Sequence, residues 1–397
     1  MLLALQVFLG LLTLCGLAFS AIALWSARSF LRSVRGRQRL EFAPPVSILK
    51  PLRGADEHTY ASLRSHCLQQ YGRYEILFGV NDENDAAIPA IRQLMAEFPK
   101  MDMRLIVCEQ VFGANRKVSN LIHLLREAKY DYVLVNDGDI RVAEDYLANV
   151  MSSFGKPEAG MATCLYRGKS SATVGSQVEA LGVATDFAPG VLTALLLDGS
   201  LRFALGSTMA VSRIALTATG GFEAVVDFLA DDYQLGKRIA DAGFKVELAP
   251  EVVETSVPPY TFGQFWEHQL RWARTMRISR PRGYRGLCLT YVLPWAILLV
   301  CVASHRGWAW ALFAGAIAAR IAIVIEIGSK VLKDRNVVSL LWLLPLRDFL
   351  ALAIWFWSYA ADTVIWRGEK FLLENGKMRT VVATEPQPAD SRTGISH

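Results

Sequence analysis

The chain has 397 residues, of which 52% are hydrophobic, and its mean hydropathy of +0.27 is high for a purely soluble protein. This length allows two ordinary domains, or one domain together with a membrane part. The net charge of +5 is modest and no nucleic-acid-binding motif accompanies it, so we do not expect nucleic acid as a partner. The six cysteines show neither CxxC nor Cys/His metal spacing, and we expect reduced, structural thiols.

The first apolar segment, Leu2 to Trp25, contains no charge and is long enough to cross a bilayer core of about 30 Å. A cleaved signal peptide is the alternative, but no basic residue precedes the segment. The basic residues follow it instead: Arg28, Arg32, Arg35, Arg37 and Arg39. Because such a cluster marks the cytoplasmic end of a span, we predict a transmembrane helix at 1–27, then a basic cytoplasmic connector at 28–45 beside an anionic membrane surface.

Between residues 46 and 258 short aliphatic runs alternate with helical patterns of about 10–15 residues. This alternation predicts an α/β domain in the cytoplasm with a doubly wound, mostly parallel sheet. The predicted strands are 46–49, 75–80, 104–108, 132–136, 160–165, 209–212 and 245–249. The predicted helices are 59–69, 88–98, 116–129, 171–187 and 231–242.

The remainder of the chain predicts a membrane region. Aromatic residues interleave with arginines at 259–286, which is typical of a helix lying in the bilayer interface. Apolar segments follow at 287–304 and 308–328. The stretch 337–366 has Pro345, Arg347 and Asp348 near its middle and basic residues on both sides, which favours a re-entrant hairpin over one clean span. We therefore predict a C-terminal membrane region at 287–366 and a cytoplasmic tail at 367–397, disordered from about residue 381.

Two carboxylates follow the buried run at 132–136, in the sequence Asp137-Gly138-Asp139. The carboxyl ends of strands are where open α/β sheets bind ligands. Carboxylates cannot hold an anionic diphosphate directly, but with phosphate oxygens they suit Mg²⁺ or Mn²⁺. The alternative is that Asp-Gly-Asp only forms a turn. The pattern predicts Asp137 and Asp139 as ligands of a divalent metal.

Further polar residues fall at the same predicted sheet edge. Asp82 and Asp85 follow the second strand and could bind a ribose or base, unless they form a solvated acidic loop. Lys50 follows the first strand, and Asn115 and Lys117 lie at the start of helix 116–129, where a phosphate group is favoured. The alternative for these basic segments is a surface exposed only to solvent.

Two later motifs complete the candidate site. Asp232 lies at the start of a helix and could act as a general base, although Asp-Asp at such a position also serves as an N-cap. His268, Arg271 and Trp272 form the motif His-Gln-Leu-Arg-Trp on the interfacial helix. Arginine suits a leaving diphosphate and tryptophan can stack on a sugar or a lipid, but a Trp/Arg membrane anchor is equally compatible with the motif.

In this order the motifs resemble those of inverting processive and lipid glycosyltransferases: Asp, Asp-x-Asp, Asp, then Gln/Arg-x-x-Arg-Trp. The resemblance is strongest to the ceramide glucosyltransferase-type branch and, within it, to bacterial hopanoid-associated glycosyltransferases. It covers nearly the whole chain, from Leu49-Lys50-Pro51-Leu52-Arg53-Gly54 to Trp366-Arg367-Gly368. Characteristic segments between them are Ala114-Asn115-Arg116-Lys117-Val118-Ser119-Asn120-Leu121, Cys164-Leu165-Tyr166-Arg167-Gly168, Leu229-Ala230-Asp231-Asp232-Tyr233 and His268-Gln269-Leu270-Arg271-Trp272-Ala273-Arg274-Thr275.

The resemblance implies a GT-A-like fold, a UDP-sugar donor and inversion at the anomeric carbon without a covalent intermediate. It implies that Asp85 binds the nucleotide, that Asp137 with Asp139 acts on metal and diphosphate, and that Asp232 is the general base. It also implies that Arg271 and Trp272 complete the site at the membrane surface. One position departs from the pattern: the usual Gln or Arg of the last motif is His268 here.

The preferred hypothesis is a multi-pass protein, expected in a bacterial inner membrane, that moves N-acetylglucosamine from UDP-GlcNAc to a hopanoid side chain. The alternative is a ceramide glucosyltransferase that uses UDP-glucose. A processive polysaccharide synthase should carry more transmembrane helices than the apolar segments allow. A non-catalytic lipid-binding membrane protein would tolerate loss of an acid, whereas every acid of the pattern is present.

Overall fold

The computed structural model describes residues 1–36, 42–366 and 368–380. Arg37 and Arg39 of the predicted connector, and the tail from 381 that was predicted to be disordered, lie outside the described residues. All six cysteines are free thiols, as their spacing predicts.

A mixed eight-stranded sheet forms the centre of the molecule, in the order β3-β2-β1-β4-β7-β6-β8-β5. Its strands are β1 (Val46–Pro51), β2 (Tyr74–Val80), β3 (Met103–Val107), β4 (Tyr132–Val135), β5 (Ile140–Arg141), β6 (Ala159–Ser170), β7 (Met209–Ser212) and β8 (Lys245–Val257). The first four strands are parallel, whereas β7 runs antiparallel to its neighbours β4 and β6. The predicted α/β sheet is therefore present, with the chain order reversing between β1 and β4.

Helices pack against this sheet. They are α2 (Thr59–Cys67), α3 (Ile88–Glu97), α4 (Arg116–Glu127), α5 (Tyr146–Met151), α6 (Val174–Gly182), α7 (Ala188–Asp198), α8 (Arg213–Ala218) and α9 (Asp231–Asp241). Helix α4 illustrates why the pattern folds this way: Val118, Leu121 and Ile122 form one buried face, and the helix packs on β1 and β2.

The N-terminal helix α1 (Leu2–Gly36) is longer than the span predicted at 1–27. Arg28, Arg32 and Arg35 extend it by further turns rather than forming a connector. Arginine is a good helix former, and no proline or glycine occurs between residue 28 and Gly36. Residues 28–36 of the predicted connector are thus helical and continue α1.

The segment predicted as a helix at 171–187 belongs to a longer element. A π-helical turn at Val183–Phe187 joins α6 to α7, giving one helix from Val174 to Asp198. This helix is apolar and long enough to cross a membrane, although most of it is buried against the rest of the protein. The domain predicted at 46–258 therefore contains an apolar helix that packs with α1.

The C-terminal helices are α10 (Phe262–Ser279), α11 (Pro281–Gly286), α12 (Val292–Ala303), α13 (Gly307–Ile323) and α14 (Leu344–Trp357). In the described residues four helices are long and apolar enough to span a membrane: Leu2–Gly36, Val174–Asp198, Gly307–Val331 and Val337–Ala360. The bent pair Pro281–Thr290 and Val292–Ala303, with an angle of 48°, would be a fifth. These helices support association with a membrane.

The re-entrant hairpin predicted within 337–366 is wrong: a single helical segment runs from Val337 to Ala360. Pro345 lies in the first turn of α14, where the chain changes from the 3₁₀ helix at Val337–Leu343 to an α-helix. Arg347 and Asp348 are buried and form ion pairs with other helices. Paired in this way, their charges do not break the helix.

A second sheet follows α14, within what was predicted as membrane region and tail. It contains β9 (Thr363–Trp366), β10 (Glu369–Glu374) and β11 (Lys377–Thr380), all antiparallel. Asn375 and Gly376 connect β10 to β11, and both have positive φ, as a two-residue hairpin turn requires. We call this element the C-terminal sheet; its apolar side chains pack on Leu229 of the main domain.

Candidate functional site

The candidate site lies at the carboxyl ends of β1, β2 and β4, where the chain order reverses. The carboxylate of Asp85 accepts hydrogen bonds from the backbone N–H of Gly54 at 2.9 and 3.1 Å and from that of Ala87 at 2.9 Å. Asp85 thus joins the loops that follow β1 and β2. Asp82 is exposed and accepts a hydrogen bond from Asn84 N at 2.7 Å, so it stabilises its own turn.

Lys117 lies at the centre of an acid cluster formed by Asp137, Asp231 and Asp232. Its Nζ is 2.8 Å from Asp137 Oδ1 and 3.4 Å from Asp231 Oδ2, an oxygen that receives no hydrogen bond within the described residues. Burial alone would lower the pKa of Lys117, but the carboxylates of Asp137 and Asp231 raise the pKa well above its ordinary value. The ammonium group therefore stays charged and holds the acids together.

Asp232 faces the same space as Asp137. A β-carbon at Gly206 would lie 3.0 Å from Asp232 Oδ2 and 3.7 Å from Asp137 Oδ2, so the absence of a side chain at Gly206 leaves room between the two carboxylates. Burial and then the charge of Asp231 raise the pKa of Asp232 to about 6, against the opposing effect of Lys117. Asp232 is thus a stronger base than an exposed aspartate.

Asp139 is more enclosed than Asp137. Its carboxylate accepts a hydrogen bond from the Thr255 hydroxyl on β8, and burial, followed by the neighbouring charge of Asp137, raises the pKa of Asp139. The two acids of the Asp-Gly-Asp turn therefore have different surroundings, with Asp137 open towards the cluster and Asp139 held against the sheet.

Lys50 and Asn115, which were predicted to contact the donor, make hydrogen bonds to the loops of the site. Lys50 is fully buried beneath the Asp137 loop: it donates to Asp137 O at 2.8 Å, and burial lowers its pKa to about 7. The Asn115 side chain accepts from Val118 N at 3.2 Å and donates to Phe228 O at 2.9 Å. Both residues hold the loops of the site in place.

A buried polar network under the Asp-Gly-Asp turn was not predicted. Asn136 donates to Tyr146 Oη at 2.9 Å and to Ser207 O at 2.8 Å, and its oxygen lies 3.2 Å from His66 Nε2. Burial lowers the pKa of His66 well below its ordinary value, so this ring is neutral. The network fixes the strand end that carries Asp137.

The His-Gln-Leu-Arg-Trp motif lies on α10, which begins with a capping box of Thr261 and Gln264. His268 Nδ1 is 2.9 Å from Glu179 Oε2 on α6, and the ring packs between Tyr260 and Trp272, with centroids 5.3 and 5.0 Å away. Arg271 follows one turn later, on the same side of the helix.

The pKa values of two tyrosines near this helix respond to acids of the site. Burial raises the pKa of Tyr166, as do the charges of Glu179, Asp232, Asp139 and Asp137 in that order. Burial also raises the pKa of Tyr260, with further contributions from Glu179 and Asp139 and an opposing one from Arg271. Glu179, which contacts His268 on α10, and Asp139 of the Asp-Gly-Asp turn are thus among the charges that raise the pKa of both phenols.

Glu179 was not predicted as a site residue, although the sequence around it contains a signal. It is the only charged residue between Val174 and Thr185, in a segment that is otherwise apolar. A lone acid in a helix of membrane length is expected to have a specific partner. Its partner in the structure is the motif that departs from the family pattern at His268.

The residues present fit a divalent cation whose coordination is completed by phosphate. Within the described residues no group of three or more His, Cys, Asp or Glu side chains could hold a metal by itself. Asp137 and Asp139 supply carboxylate oxygens, and the cluster around Lys117 contains three carboxylates against one ammonium group. The excess negative charge and hard oxygen ligands suit Mg²⁺ or Mn²⁺.

The strand order and the acids at the carboxyl edge of the sheet define a glycosyltransferase with a GT-A-like fold. A mannosyltransferase, PcManGT from Pyrobaculum calidifontis, solved in complex with GDP-Man and Mn²⁺, has the same fold. It matches with a TM-score of 0.54 and 20% identity, over 90% of this chain and 99% of that chain. The chain belongs to glycosyl transferase family 21, whose model matches residues 8–379.

Two curated relatives come from Caenorhabditis elegans. Ceramide glucosyltransferase 1 is 25% identical over 363 residues, which cover 87% of this chain and 75% of the relative. Ceramide glucosyltransferase 3 is 27% identical over 237 residues, which cover 59% of this chain and 51% of the relative. The matched region therefore spans about half the length of the latter protein.

Proposed function

We propose that the protein transfers a hexose from a UDP-sugar to a hydroxyl group of a membrane lipid, with inversion at the anomeric carbon. The observation that carries this proposal is the convergence of Asp232 and Asp137 on the space beside Gly206. One carboxylate is then available to the acceptor and the other to the donor. Family membership and the membrane-length helices support a transferase that acts on a lipid.

In this mechanism Asp232 accepts the proton of the acceptor hydroxyl. The acceptor oxygen forms a bond to the anomeric carbon, while the bond between that carbon and the diphosphate oxygen breaks and its electron pair leaves with the UDP. The pKa of Asp232, raised by burial to about 6, keeps the carboxylate ionised at neutral pH and makes it more basic than usual. Direct displacement by the acceptor requires no other nucleophile from the protein.

The donor end of the site has to balance the charge of the diphosphate. A divalent cation held by Asp137 and Asp139 would supply positive charge to the leaving group. Lys117 provides a permanently charged ammonium group beside Asp137, and Arg271 provides a guanidinium group from α10. In this proposal Asp85, which joins the loops after β1 and β2, contacts the nucleoside.

Ceramide and glucose are the favoured acceptor and sugar. The curated relatives are ceramide glucosyltransferases, so they favour the alternative drawn from the sequence over N-acetylglucosamine and a hopanoid. The hopanoid hypothesis remains the second candidate because of the segments that characterise that branch. The arginines at the end of α1 favour a catalytic domain on the cytoplasmic face of the membrane, as expected for a bacterial inner membrane.

The test uses the purified full chain in detergent with Mg²⁺ or Mn²⁺. Radiolabelled UDP-glucose and UDP-GlcNAc are each offered with ceramide or with a polyhydroxylated hopanoid. We expect label from UDP-glucose to enter ceramide, and expect Asp232→Asn to abolish the transfer. Asp241→Asn is the matched control, since Asp241 lies on the same helix but is exposed and paired with Arg202 and Lys237.

Each result separates the hypotheses. Transfer of N-acetylglucosamine to the hopanoid alone would replace the favoured pairing by the second candidate. Transfer that survives Asp232→Asn would contradict the assignment of the general base. Absence of transfer to either lipid from either donor would contradict the proposed acceptors.

A further inference from the structure

A cavity of about 380 Å³ opens between helices α10 and α11, the end of α14 and the C-terminal sheet. The residues that line it include Arg277, Pro281, Arg285, Tyr359, Asp362 and Leu373. Its volume lies within the range of roughly 300–1,000 Å³ that small-molecule sites occupy. None of the lining residues belongs to the candidate site described above, so the cavity is a separate feature of the molecule.

The cavity lies where two membrane-length segments end. Pro281 begins the bent helix pair, and Tyr359 lies in the last turn of the segment Val337–Ala360. Beside them, Tyr284 packs against Trp355 and Tyr359, with ring centroids 6.4 and 6.0 Å away. Tyrosine and tryptophan are enriched at the level of the lipid headgroups, where the ends of membrane helices also lie. We therefore expect the cavity to open in the headgroup layer.

Positive charge predominates in the cavity, since two arginines and one aspartate line it. Arg277 pairs with the carboxylate of Asp362, and its Nη2 donates to Ala361 O at 3.0 Å. The Nε of Arg277 is buried and has no hydrogen-bond partner within the described residues. In the part of the chain that the structure describes, Arg285 donates only from Nε, to Pro281 O at 3.4 Å, and forms no ion pair. The cavity therefore contains guanidinium groups with unused hydrogen-bond donors.

These features suit an anion that is presented from a membrane. The segment 274–285 contains five arginines and no acidic residue, and such clusters attract anionic lipids. A guanidinium group matches a phosphate group with two parallel N–H donors. Ile278 and Leu373 add apolar surface to the same cavity, which suits the glycerol and acyl part of a lipid. A phospholipid matches both the charge and the apolar surface, whereas inorganic phosphate matches only the charge.

We propose that this cavity binds the phosphate group of an anionic phospholipid and that the bound lipid stabilises the C-terminal sheet. The phospholipid is neither the sugar donor nor the acceptor, so the inference goes beyond the proposed transfer reaction. Asp362 directly precedes β9, and Leu373 lies on β10. A phosphate group that contacts Arg277 and Arg285 would therefore join α10 and α11 to this sheet.

The first experiment measures binding of a fluorescent phosphatidylglycerol to the purified full chain in an uncharged detergent, with phosphatidylcholine as the zwitterionic comparison. The variant Arg285→Gln removes one guanidinium group from the cavity. We expect its affinity for phosphatidylglycerol to fall roughly tenfold, because a charge-assisted hydrogen bond is lost. Arg282→Gln is the matched control and should bind like the wild type. Arg282 is also an exposed arginine of α11, but it does not line the cavity.

Asp362→Asn tests the same cavity in the opposite direction. This variant removes the carboxylate that competes with a phosphate group for Arg277. Its affinity for phosphatidylglycerol should rise roughly threefold, the usual size of an exposed ion-pair contribution, while its affinity for phosphatidylcholine should not change. Thermal unfolding of each variant verifies that the protein is folded.

Limited digestion with trypsin measures the effect on the C-terminal sheet. Lys370 and Lys377 are exposed on β10 and β11 and provide cleavage sites. Phosphatidylglycerol should slow cleavage at both sites in the wild type and in Arg282→Gln, but not in Arg285→Gln. Inorganic phosphate at the same concentration should neither displace the fluorescent lipid nor slow the cleavage.

Each outcome supports or contradicts the proposal. Equal losses of affinity in Arg285→Gln and Arg282→Gln, or no loss in Arg285→Gln, would overturn the cavity as the binding site. Equal binding of phosphatidylglycerol and phosphatidylcholine would overturn recognition of the anion, and displacement by inorganic phosphate would replace the lipid by a free anion. Cleavage that phosphatidylglycerol does not slow would overturn the effect on the sheet. None of these measurements uses the sugar donor or the acceptor, so they are independent of the proposed function.

Discussion

At the scale of single residues, the balance of charge around Lys117 determines what the donor site can hold. Three buried or partly buried carboxylates, Asp137, Asp231 and Asp232, surround one ammonium group. Removing one partner from such a cluster leaves uncompensated charge in a poorly hydrated space. In the proposed function, a divalent cation and this lysine would together balance the charge of the diphosphate.

Substitution of Lys117 by Met is expected to destabilise the protein by about 3–5 kcal/mol without metal, because the remaining carboxylates repel one another. Added Mn²⁺ should restore part of the loss and raise the melting temperature of the variant more than that of the wild type. Thermal unfolding in EDTA and in Mn²⁺ measures both effects. Lys237→Met, which removes an exposed lysine from α9, is the control; an equal response to Mn²⁺ in all three proteins would exclude metal binding at this cluster.

The ionised form of Asp232 is expected to support transfer activity but to lower the free energy of unfolding. Its pKa is about 6 in the folded protein against 3.8 for an ordinary aspartate, so the native state binds the proton more tightly than the unfolded state. Ionisation therefore destabilises the fold, by up to about 3 kcal/mol above pH 7, and this penalty disappears as the pH falls below about 4.

We expect Asp232→Asn to raise the melting temperature at pH 7 but not at pH 4, while transfer activity is lost. Unfolding curves between pH 4 and pH 7 measure this difference, with Asp241→Asn as the exposed control on the same helix. A difference that is independent of pH would show that the folded Asp232 has an ordinary pKa.

At the scale of elements, the C-terminal sheet holds the loop that precedes Asp232. Met378 N donates to Asp227 O at 2.8 Å, and the side chain of Asp227 accepts from Ala114 N at 3.1 Å. Phe371 and Leu373 pack with Leu229 in a small apolar cluster. The loop at 226–230 is therefore fixed from both sides, by the start of α4 and by the last strands.

Phe371→Ala is expected to reduce the stability of the C-terminal sheet by about 3 kcal/mol, since Phe371 is 4% exposed. Because the sheet supports the loop before Asp232, transfer activity should fall more than the global melting temperature. Activity assays and limited proteolysis after residue 366 measure the two effects. Ile365→Ala, on the same sheet but 50% exposed, should change neither; unaltered activity in Phe371→Ala would mean that the loop is stable without the sheet.

The sequence was informative where an aliphatic run is followed directly by polar residues of the candidate site. Aliphatic runs predicted β1, β2 and β4. Because Asp137 follows β4 in the sequence, the topology of a parallel sheet predicted that it lies at the carboxyl edge of the sheet. Lys50 and Asn115 were predicted from their residue types, which suit phosphate, whereas their burial and their hydrogen bonds to the loops depend on the tertiary fold and could not be predicted from the sequence.

Two elements were not fully predicted from the sequence, for different reasons. The helix Val174–Asp198 was predicted only as far as residue 187, and its charged residue Asp186 is paired with Arg320 and Arg347 from distant helices. The C-terminal hairpin carried a readable signal, Asn375-Gly376 between short strands, but its position after the membrane helices favoured a tail.

At the scale of the whole molecule, one chain of polar contacts joins the candidate site to the membrane helices. It passes from His268 through Glu179 and Gln269 to Arg347, and then to Asp186, Arg320 and Asp348. The last four residues form two acids and two bases that neutralise one another, as buried charges between apolar helices require. Gly182 allows this approach, since a β-carbon there would lie 2.5 Å from the Arg347 guanidinium group.

The C-terminal sheet is also the last described element to be synthesised. Its strands leave the ribosome after every membrane-length helix of the described chain has been made, yet they complete the support of the loop before Asp232. At roughly 5–20 residues per second, translation reaches β11 on the order of ten seconds after Asp232. A nascent chain that has not yet released these strands therefore lacks the last support of the loop before Asp232, so this loop is completed only after the helices of membrane length have been made.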